Sequence, residues 1–136
     1  MMYNNILIPI ALEQDRDTEG AISIARLLLN EGGKLTGLHI LEPIPGYVAQ
    51  QLHEGQLAKR RAEIESRLAA ELDDAKEVLP VVEAGHSGRS IVEYALKHNI
   101  DCIVIASHRP GLQDYLLGST AGRVVRHADC AVHVIR

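Results

Sequence analysis

The sequence predicts an α/β fold, a doubly wound five-stranded parallel sheet in the order 3-2-1-4-5 with helices on both faces. Apolar runs that fit strands alternate with segments whose apolar residues recur at helical spacing. Residues 6–10 and 102–106 are the most uniformly apolar runs, which places these two strands at the centre of the sheet. Pro80 lies in the third predicted strand and has no backbone N–H, so that strand belongs at an edge. The order 3-2-1-4-5 satisfies both constraints.

The first predicted unit is a strand followed by a helix. The continuous apolar run at residues 6–10 is typical of a parallel strand that is covered on both faces. The helix is predicted from apolar residues at helical spacing, namely Ala21, Ile24, Ala25 and Leu28. Gly32 and Gly33 are expected to end it, because glycine commonly follows the last helical residue.

The second unit combines a strand at residues 35–41 with a long helix. Pro43, Pro45 and Gly46 indicate an irregular connection between them. The apolar face of the helix is predicted to comprise Leu57, Ile64, Leu68, Leu72 and Ala75. The opposite face is expected to be solvated, because it carries Lys59, Arg60, Arg61, Glu63, Glu65 and Arg67.

The last part of the chain predicts three strands and two helices. The third strand covers residues 78–83, and a turn at residues 85–88 follows, with Ser87 as the expected N-cap of the next helix. That helix carries Ile91, Val92 and Ala95. Residues 102–106 and 131–135 predict the fourth and fifth strands. The helix between them is predicted from positions i, i+3, i+4 and i+7, which are Ala121, Val124, Val125 and Ala128.

Composition and charge argue against several function classes. A chain of 136 residues that is 46% hydrophobic is expected to form one domain, whose core is aliphatic because Trp and Phe are absent. A net charge of −4 without a dense Lys/Arg block does not favour a nucleic-acid partner. No apolar run approaches the roughly 20 residues of a membrane span, and no signal peptide is evident, so a cytoplasmic protein is expected. Cys102 and Cys130 fit no metal or redox spacing and are expected to be reduced, buried thiols.

The predicted topology indicates where a ligand binds. Ligands of such sheets lie at the carboxyl ends of the strands that flank the switch in strand order, here the first and the fourth. The loop after the fourth strand leads to Gly118-Ser119-Thr120, which opens the last helix. A helix start offers unpaired N–H groups, glycine permits close approach, and hydroxyls add donors. This combination suggests a phosphate or nucleotide site rather than catalysis, although serine is also a common helix cap without any ligand.

Other polar residues leave alternatives open. Arg109 is either a plain surface residue or a contact to phosphate, and His108 is read as a hydrogen-bonding loop residue, because no acidic partner or nucleophile lies beside it. Residues 85–90 look superficially like a phosphate loop, but a strand end plus a helix cap explains them. His39, His127 and His133 have no ligand spacing, so no metal site is predicted.

The chain resembles the universal stress protein family over essentially its full length, residues 1–136. The resemblance is carried by Ile8-Pro9-Ile10, by residues 116–120 (LLGST) and by residues 124–134 (VVRHADCAVHV). Residues 105–110 (IASHRP) resemble the short F/G-type bacterial branch of that family. The resemblance implies an adenine nucleotide alpha hydrolase-like fold and a stress-response protein, which in some members binds ATP.

Two features depart from the family's ATP-binding pattern of Gly, two residues, Gly, nine residues and Gly-Ser/Thr. Ala106 and Arg109 stand at the first two glycines, and eight residues rather than nine separate Arg109 from Gly118. The F/G-type branch shares the shortened loop. Ala11 stands where the family often has an acidic residue near the sugar, and Glu13 or Asp15 is the nearest substitute.

The resemblance assigns an adenine nucleotide, ATP or its relatives AMP and ADP, to particular residues of this chain. Pro9, Ile10 and Ala11 would line the nucleoside end, and Ile40 would offer its backbone to adenine. The phosphates would lie along the remaining residues, which are Ala106, Ser107, His108, Arg109, Gly118, Ser119 and Thr120.

Three functions are compatible with these residues. The first is a nucleotide-binding regulatory protein without rapid turnover, and the second is a dimeric interaction module that binds no nucleotide. The third, an enzyme, is disfavoured because the sequence shows no paired carboxylates, nucleophile elbow or Walker-type lysine. A homodimer, with a tetramer as a further step, is expected through Ala131–Ile135, because this outer strand has no Pro, Lys or Gly to block pairing. The client protein is not indicated.

Overall fold

The computed structural model describes residues 2–12, 17–107 and 118–136, which form a five-stranded sheet in the order β3-β2-β1-β4-β5. All four strand pairings are parallel. The predicted fold class and strand order are therefore confirmed. The elements in chain order are β1 (Tyr3–Pro9), α1 (Thr18–Leu28), β2 (Leu29–Leu41), α2 (Gly46–Ala49), α3 (Glu54–Glu71), β3 (Val78–Ala84), α4 (Ser87–Lys97), β4 (Cys102–Ala106), α5 (Ser119–His127) and β5 (Ala131–Ile135).

The core consists of two apolar layers, one on each face of the sheet. Alternate residues of β1 point to opposite layers, so Ile6 and Ile8 pack with α1 and α3, whereas Leu7 packs with α4 and α5. All three side chains are completely buried. Because β1 and β4 are covered on both faces, their unbroken apolar runs correspond to the two central positions that the sequence predicted. Pro80 lies on β3, at the edge of the sheet.

The glycine pair after α1 does not end that helix, contrary to the sequence-based expectation. The helix ends at Leu28, and β2 begins at once with Leu29 and includes both glycines. Gly32 has a φ of 80°, and the pairing of β1 with β2 shifts register between Tyr3 and Asn5. The glycines therefore accommodate an irregularity within a longer strand, because glycine tolerates positive φ where other residues are strained.

Three further expectations about helices need correction. The irregular connection contains a short helix, α2. The long helix α3 ends at Glu71, and Leu72 and Ala75 reach the core from the turn that follows it. Leu57 and Val125, both assigned to apolar faces, are 40% and 45% exposed. Helical spacing alone does not reveal that neighbouring elements leave these two positions uncovered.

Both cysteines are free, and they differ in burial. Cys102 is buried in the sheet and Cys130 is half-buried before β5. Burial raises the pKa of the Cys102 thiol to about 11, and it also raises the pKa of Cys130. Both thiols are therefore protonated at neutral pH, which disfavours their reaction as nucleophiles.

Candidate functional site

A cleft of about 380 Å³ opens at the carboxyl ends of β1 and β4, where the strand order reverses. Its walls come from both helical layers and from the ends of β1, β2 and β4. The structure places around it these predicted residues: Pro9, Ile10, Ala11, Ile40, Ala106, Ser107, Gly118, Ser119 and Thr120. His108 and Arg109, the other two, lie outside the described residues, as do Glu13 and Asp15.

The turn after β1 is fixed by hydrogen bonds to β2. The N–H of Ile10 donates to the carbonyl of Leu38 at 2.8 Å. His39 Nδ1 lies 2.8 Å from the carbonyl oxygen of Ile10 and carries the hydrogen, since a carbonyl only accepts. His39 lines the cleft, whereas sequence spacing only excluded it as a metal ligand, because its contact with Ile10 depends on strand pairing. Both the N–H and the carbonyl of Ile10, the residue before Ala11, are thus held by β2.

Ser107 and Gly118 are joined at the opposite side of the cleft. The N–H of Gly118 donates to the carbonyl of Ser107 at 3.0 Å, and the N–H of Ser107 donates to Ile135 at 2.8 Å. Ser107 is only 1% exposed. A Cβ added at Gly118 would lie 2.5 Å from the Ser107 oxygen, which is closer than real side chains approach. Gly118 is therefore needed for this backbone contact, whether or not a phosphate also approaches it.

The start of α5 is not capped by a side chain. Gly118 occupies the N-cap position and Ser119 is the first residue of the helix, so the explanation of Ser119 as a serine cap does not hold. The first helical hydrogen bond runs from Gly122 N–H to the Gly118 carbonyl at 2.8 Å. Backbone N–H groups of the first turn precede this bond and lack helical partners, as at any helix start. They border the cleft, together with the hydroxyls of Ser119 and Thr120.

Ser87 links the starts of α4 and α5 rather than capping α4. Its Oγ lies 2.9 Å from Thr120 Oγ1. His86 takes the N-cap position of α4, which corrects the predicted cap. The hydroxyl of Ser87 reaches a residue 33 positions later in the chain, and this partner could not be seen from local sequence. Ser87 lines the cleft as well.

Charged residues that the sequence did not assign to the site also border the cleft. Asp17 caps α1, its Oδ1 accepting the Gly20 N–H at 2.8 Å. Arg60 of α3 lines the cleft and donates from Nη2 to the Glu42 carbonyl at 3.4 Å. The face of α3 that was expected to be solvated therefore contributes a cation to the cleft wall. The charged residues of that face do not themselves indicate this, because tertiary packing determines how α3 lies relative to the ends of the strands.

The described residues contain neither a metal-binding cluster nor a membrane-spanning helix. Within residues 2–12, 17–107 and 118–136, no group of three or more His, Cys, Asp or Glu side chains is arranged to hold a metal ion. Across the same residues, no helix combines the length and apolar character needed to cross a membrane.

Comparison with known proteins places the sequence among one group of relatives. Residues 2–136 match the model of the universal stress protein family. Universal stress protein G of Salmonella typhimurium is 30% identical over 145 residues, covering 99% of this chain and all of the relative. Universal stress protein G of Escherichia coli O157:H7 is 29% identical with the same coverage. Both relatives carry the name of the branch that the sequence resembles.

Solved structures agree with this placement. Universal stress protein UspA from Lactobacillus plantarum is 26% identical with a TM-score of 0.68, covering 100% of this chain and 99% of that one. The fold is shared by a universal stress protein in complex with cAMP, which is 20% identical with a TM-score of 0.66, covering 100% of this chain and 98% of that one. It is also shared by the universal stress protein from Archaeoglobus fulgidus in complex with dAMP, which is 18% identical with a TM-score of 0.60, covering 100% of both chains. Because the family match covers nearly the whole chain and the fold agrees, the protein belongs to the universal stress protein family.

Proposed function

We propose that this protein binds an adenine nucleotide, ATP in the first instance, in the cleft between β1 and β4, and acts as a cytoplasmic regulatory protein in stress response. The observation that carries the proposal is the uncapped start of α5 at the strand-order switch. Backbone N–H groups and the positive end of the helix dipole favour an anion at such a position.

The two sides of the cleft suit the two ends of a nucleotide. Apolar side chains that include Ile10, Leu38 and Ile40 offer a surface for a base. Hydroxyl and backbone donors at Ser119 and Thr120 lie on the side of α5, where phosphate would be held. The volume of about 380 Å³ is within the usual range of small-molecule sites. Two solved relatives with this fold bind cAMP and dAMP, which supports an adenine nucleotide as the class of ligand.

The proposed role is binding without rapid turnover. Asp17 is one of the carboxylates at the cleft, and it is engaged in capping α1. Donors that hold a phosphate equally in the ground state and the transition state lower the Michaelis constant without raising kcat. We therefore expect ATP hydrolysis well below the enzyme median of about 10 per second. Sustained hydrolysis at that rate, measured as phosphate release, would contradict this part of the proposal.

A dimeric interaction module that binds no nucleotide is the second candidate. Ala11 favours it, because an alanine two residues after β1 offers no side-chain acceptor for a ribose hydroxyl. The outer edge of β5, which pairs with no other strand of the described residues, also favours it as a surface for self-association. The two candidates share the proposed homodimer and differ in whether the cleft is occupied.

Mass spectrometry of small molecules released from purified, heat-denatured protein separates the two candidates. The nucleotide-binding proposal predicts AMP, ADP or ATP in a near-stoichiometric amount, or uptake of ATP when the empty protein is incubated with it. Protein that releases no nucleotide, and that retains none after incubation with ATP, would favour the interaction module instead.

A further inference from the structure

A second cavity of about 360 Å³ adjoins the cleft on the side of α4 and α5. We call it the annex and define it by Glu42, His86, Ser87, Arg89, Thr120 and Arg123. Glu42, Ser87 and Thr120 also line the cleft, so the two spaces meet at a common wall. A ligand longer than the cleft would enter the annex by passing Ser87 and Thr120.

Arg123 is an exposed residue whose stem lies over Gly88 and whose guanidinium has no partner among the described residues. A Cβ added at Gly88 would lie 2.7 Å from Cδ and 3.0 Å from Cβ of Arg123, so the arginine stem occupies the space above the glycine. Within the described parts of the chain, Arg123 makes no hydrogen bond or ion pair. Arg89, the other guanidinium of the annex, already pairs with Glu93 at 3.2 Å. Arg123 therefore brings to the annex a cation whose donors no described residue uses.

The hydroxyl pair at the common wall also retains a donor. Ser87 Oγ and Thr120 Oγ1 are 2.9 Å apart, so one hydroxyl donates to the other. The accepting hydroxyl still has its own hydrogen, which the pair does not use. Glu42 is the one carboxylate among the described residues around the annex, and Arg89 is already paired with Glu93. The unused donors of Arg123 and of the hydroxyl pair are what favours an anion.

We propose that the annex is a second anion subsite, which receives the terminal phosphate groups of a nucleoside triphosphate while the cleft holds the base and the first phosphate. The proposal rests on the nucleotide-binding function proposed above and deepens it. Arg123 would contact phosphate through charge-assisted hydrogen bonds, which are stronger than neutral ones. The annex would then make the protein prefer ATP to AMP.

The test compares ATP with AMP by titration calorimetry at a single ionic strength. Arg123→Met keeps an unbranched stem over Gly88 and removes the charge. Arg126→Met is the matched control, since Arg126 is exposed on the same helix and borders neither cavity. We expect Arg123→Met to weaken ATP about tenfold or more and AMP less than about twofold. Arg126→Met should change neither affinity.

Each other result has a definite meaning. Equal weakening of ATP and AMP by Arg123→Met, or an unchanged ATP affinity, overturns the annex proposal while nucleotide binding stands. If the native protein binds neither nucleotide, the proposed function fails. Titration with inorganic tripolyphosphate then tests whether the annex binds an anion by itself. Binding of tripolyphosphate that Arg123→Met weakens would support the subsite, whereas no binding or no effect of the substitution would overturn it.

Discussion

Gly118 illustrates how one residue serves both the fold and the candidate site. Its lack of a side chain lets the backbone of α5 meet the carbonyl of Ser107, and the same contact places the start of α5 at the cleft. Substitution at this position therefore disturbs the protein before any ligand is considered. A loss of nucleotide binding in a Gly118 variant would not by itself show contact with phosphate.

Gly118→Ala should destabilise the folded protein, because its Cβ would lie 2.5 Å from the Ser107 oxygen. We expect a loss of about 1–3 kcal/mol in the free energy of unfolding, the usual cost of overpacking. Urea denaturation followed by circular dichroism measures this change.

Gly122→Ala is the matched control on the same helix, since a Cβ there meets nothing within 4 Å. It should stabilise the protein by about 0.5–1 kcal/mol through helix propensity. Equal effects of the two substitutions would show that the contact with Ser107 is unimportant.

Strand β5 forms one outer edge of the sheet, and its backbone groups determine whether another strand can pair there. The Ile135 carbonyl accepts from Ser107, so Ile135 points its backbone groups toward β4. Because these groups alternate along a strand, Val132 and Val134 direct their N–H and C=O groups away from the sheet. Val132 and Val134 are only half-buried, in the layer formed with α4 and α5. Pairing with a second β5 about a twofold axis would satisfy the outward groups.

Val134→Pro should convert the proposed homodimer to a monomer without breaking the pairing of β5 with β4. Proline removes an outward-facing donor, whereas Val134→Ala keeps that donor and should remain dimeric. Sedimentation equilibrium at about 100 μM, where a stable dimer remains associated, measures the mass of each protein. A monomeric native protein, or a dimer that Val134→Pro leaves intact, would rule out this interface.

At the scale of elements, sequence pattern predicts strand order well and helix ends poorly. Buried strands are recognisable because burial on both faces demands an unbroken apolar run, as at Cys102–Ala106. The predicted end of α1 was wrong because a glycine such as Gly32, with its positive φ, is expected equally at a helix terminus and at an irregularity within a strand. The N-cap of α4 was misassigned because Ser87 bonds to Thr120, a distant residue.

At the scale of the whole molecule, topology determined how much of the cleft could be predicted. The switch-point rule depends only on strand order, so residues at the ends of β1 and β4, such as Ile10 and Ala106, could be identified. His39, Arg60 and Arg123 border the cleft or the annex through strand pairing or helix placement. Local sequence does not determine that placement, so only the folded structure shows that these residues border the site.

The most direct test of the central claim is calorimetric titration of ATP into the native protein and into Ala106→Leu. Ala106 lines the cleft, and a leucine there would fill space that the proposed nucleotide needs. The native protein should bind ATP with a dissociation constant below about 1 mM, and Ala106→Leu should weaken binding at least about tenfold. The circular dichroism spectrum of the variant should match that of the native protein. No binding by the native protein at millimolar ATP, or equal binding by a folded Ala106→Leu protein, would contradict a nucleotide site in this cleft.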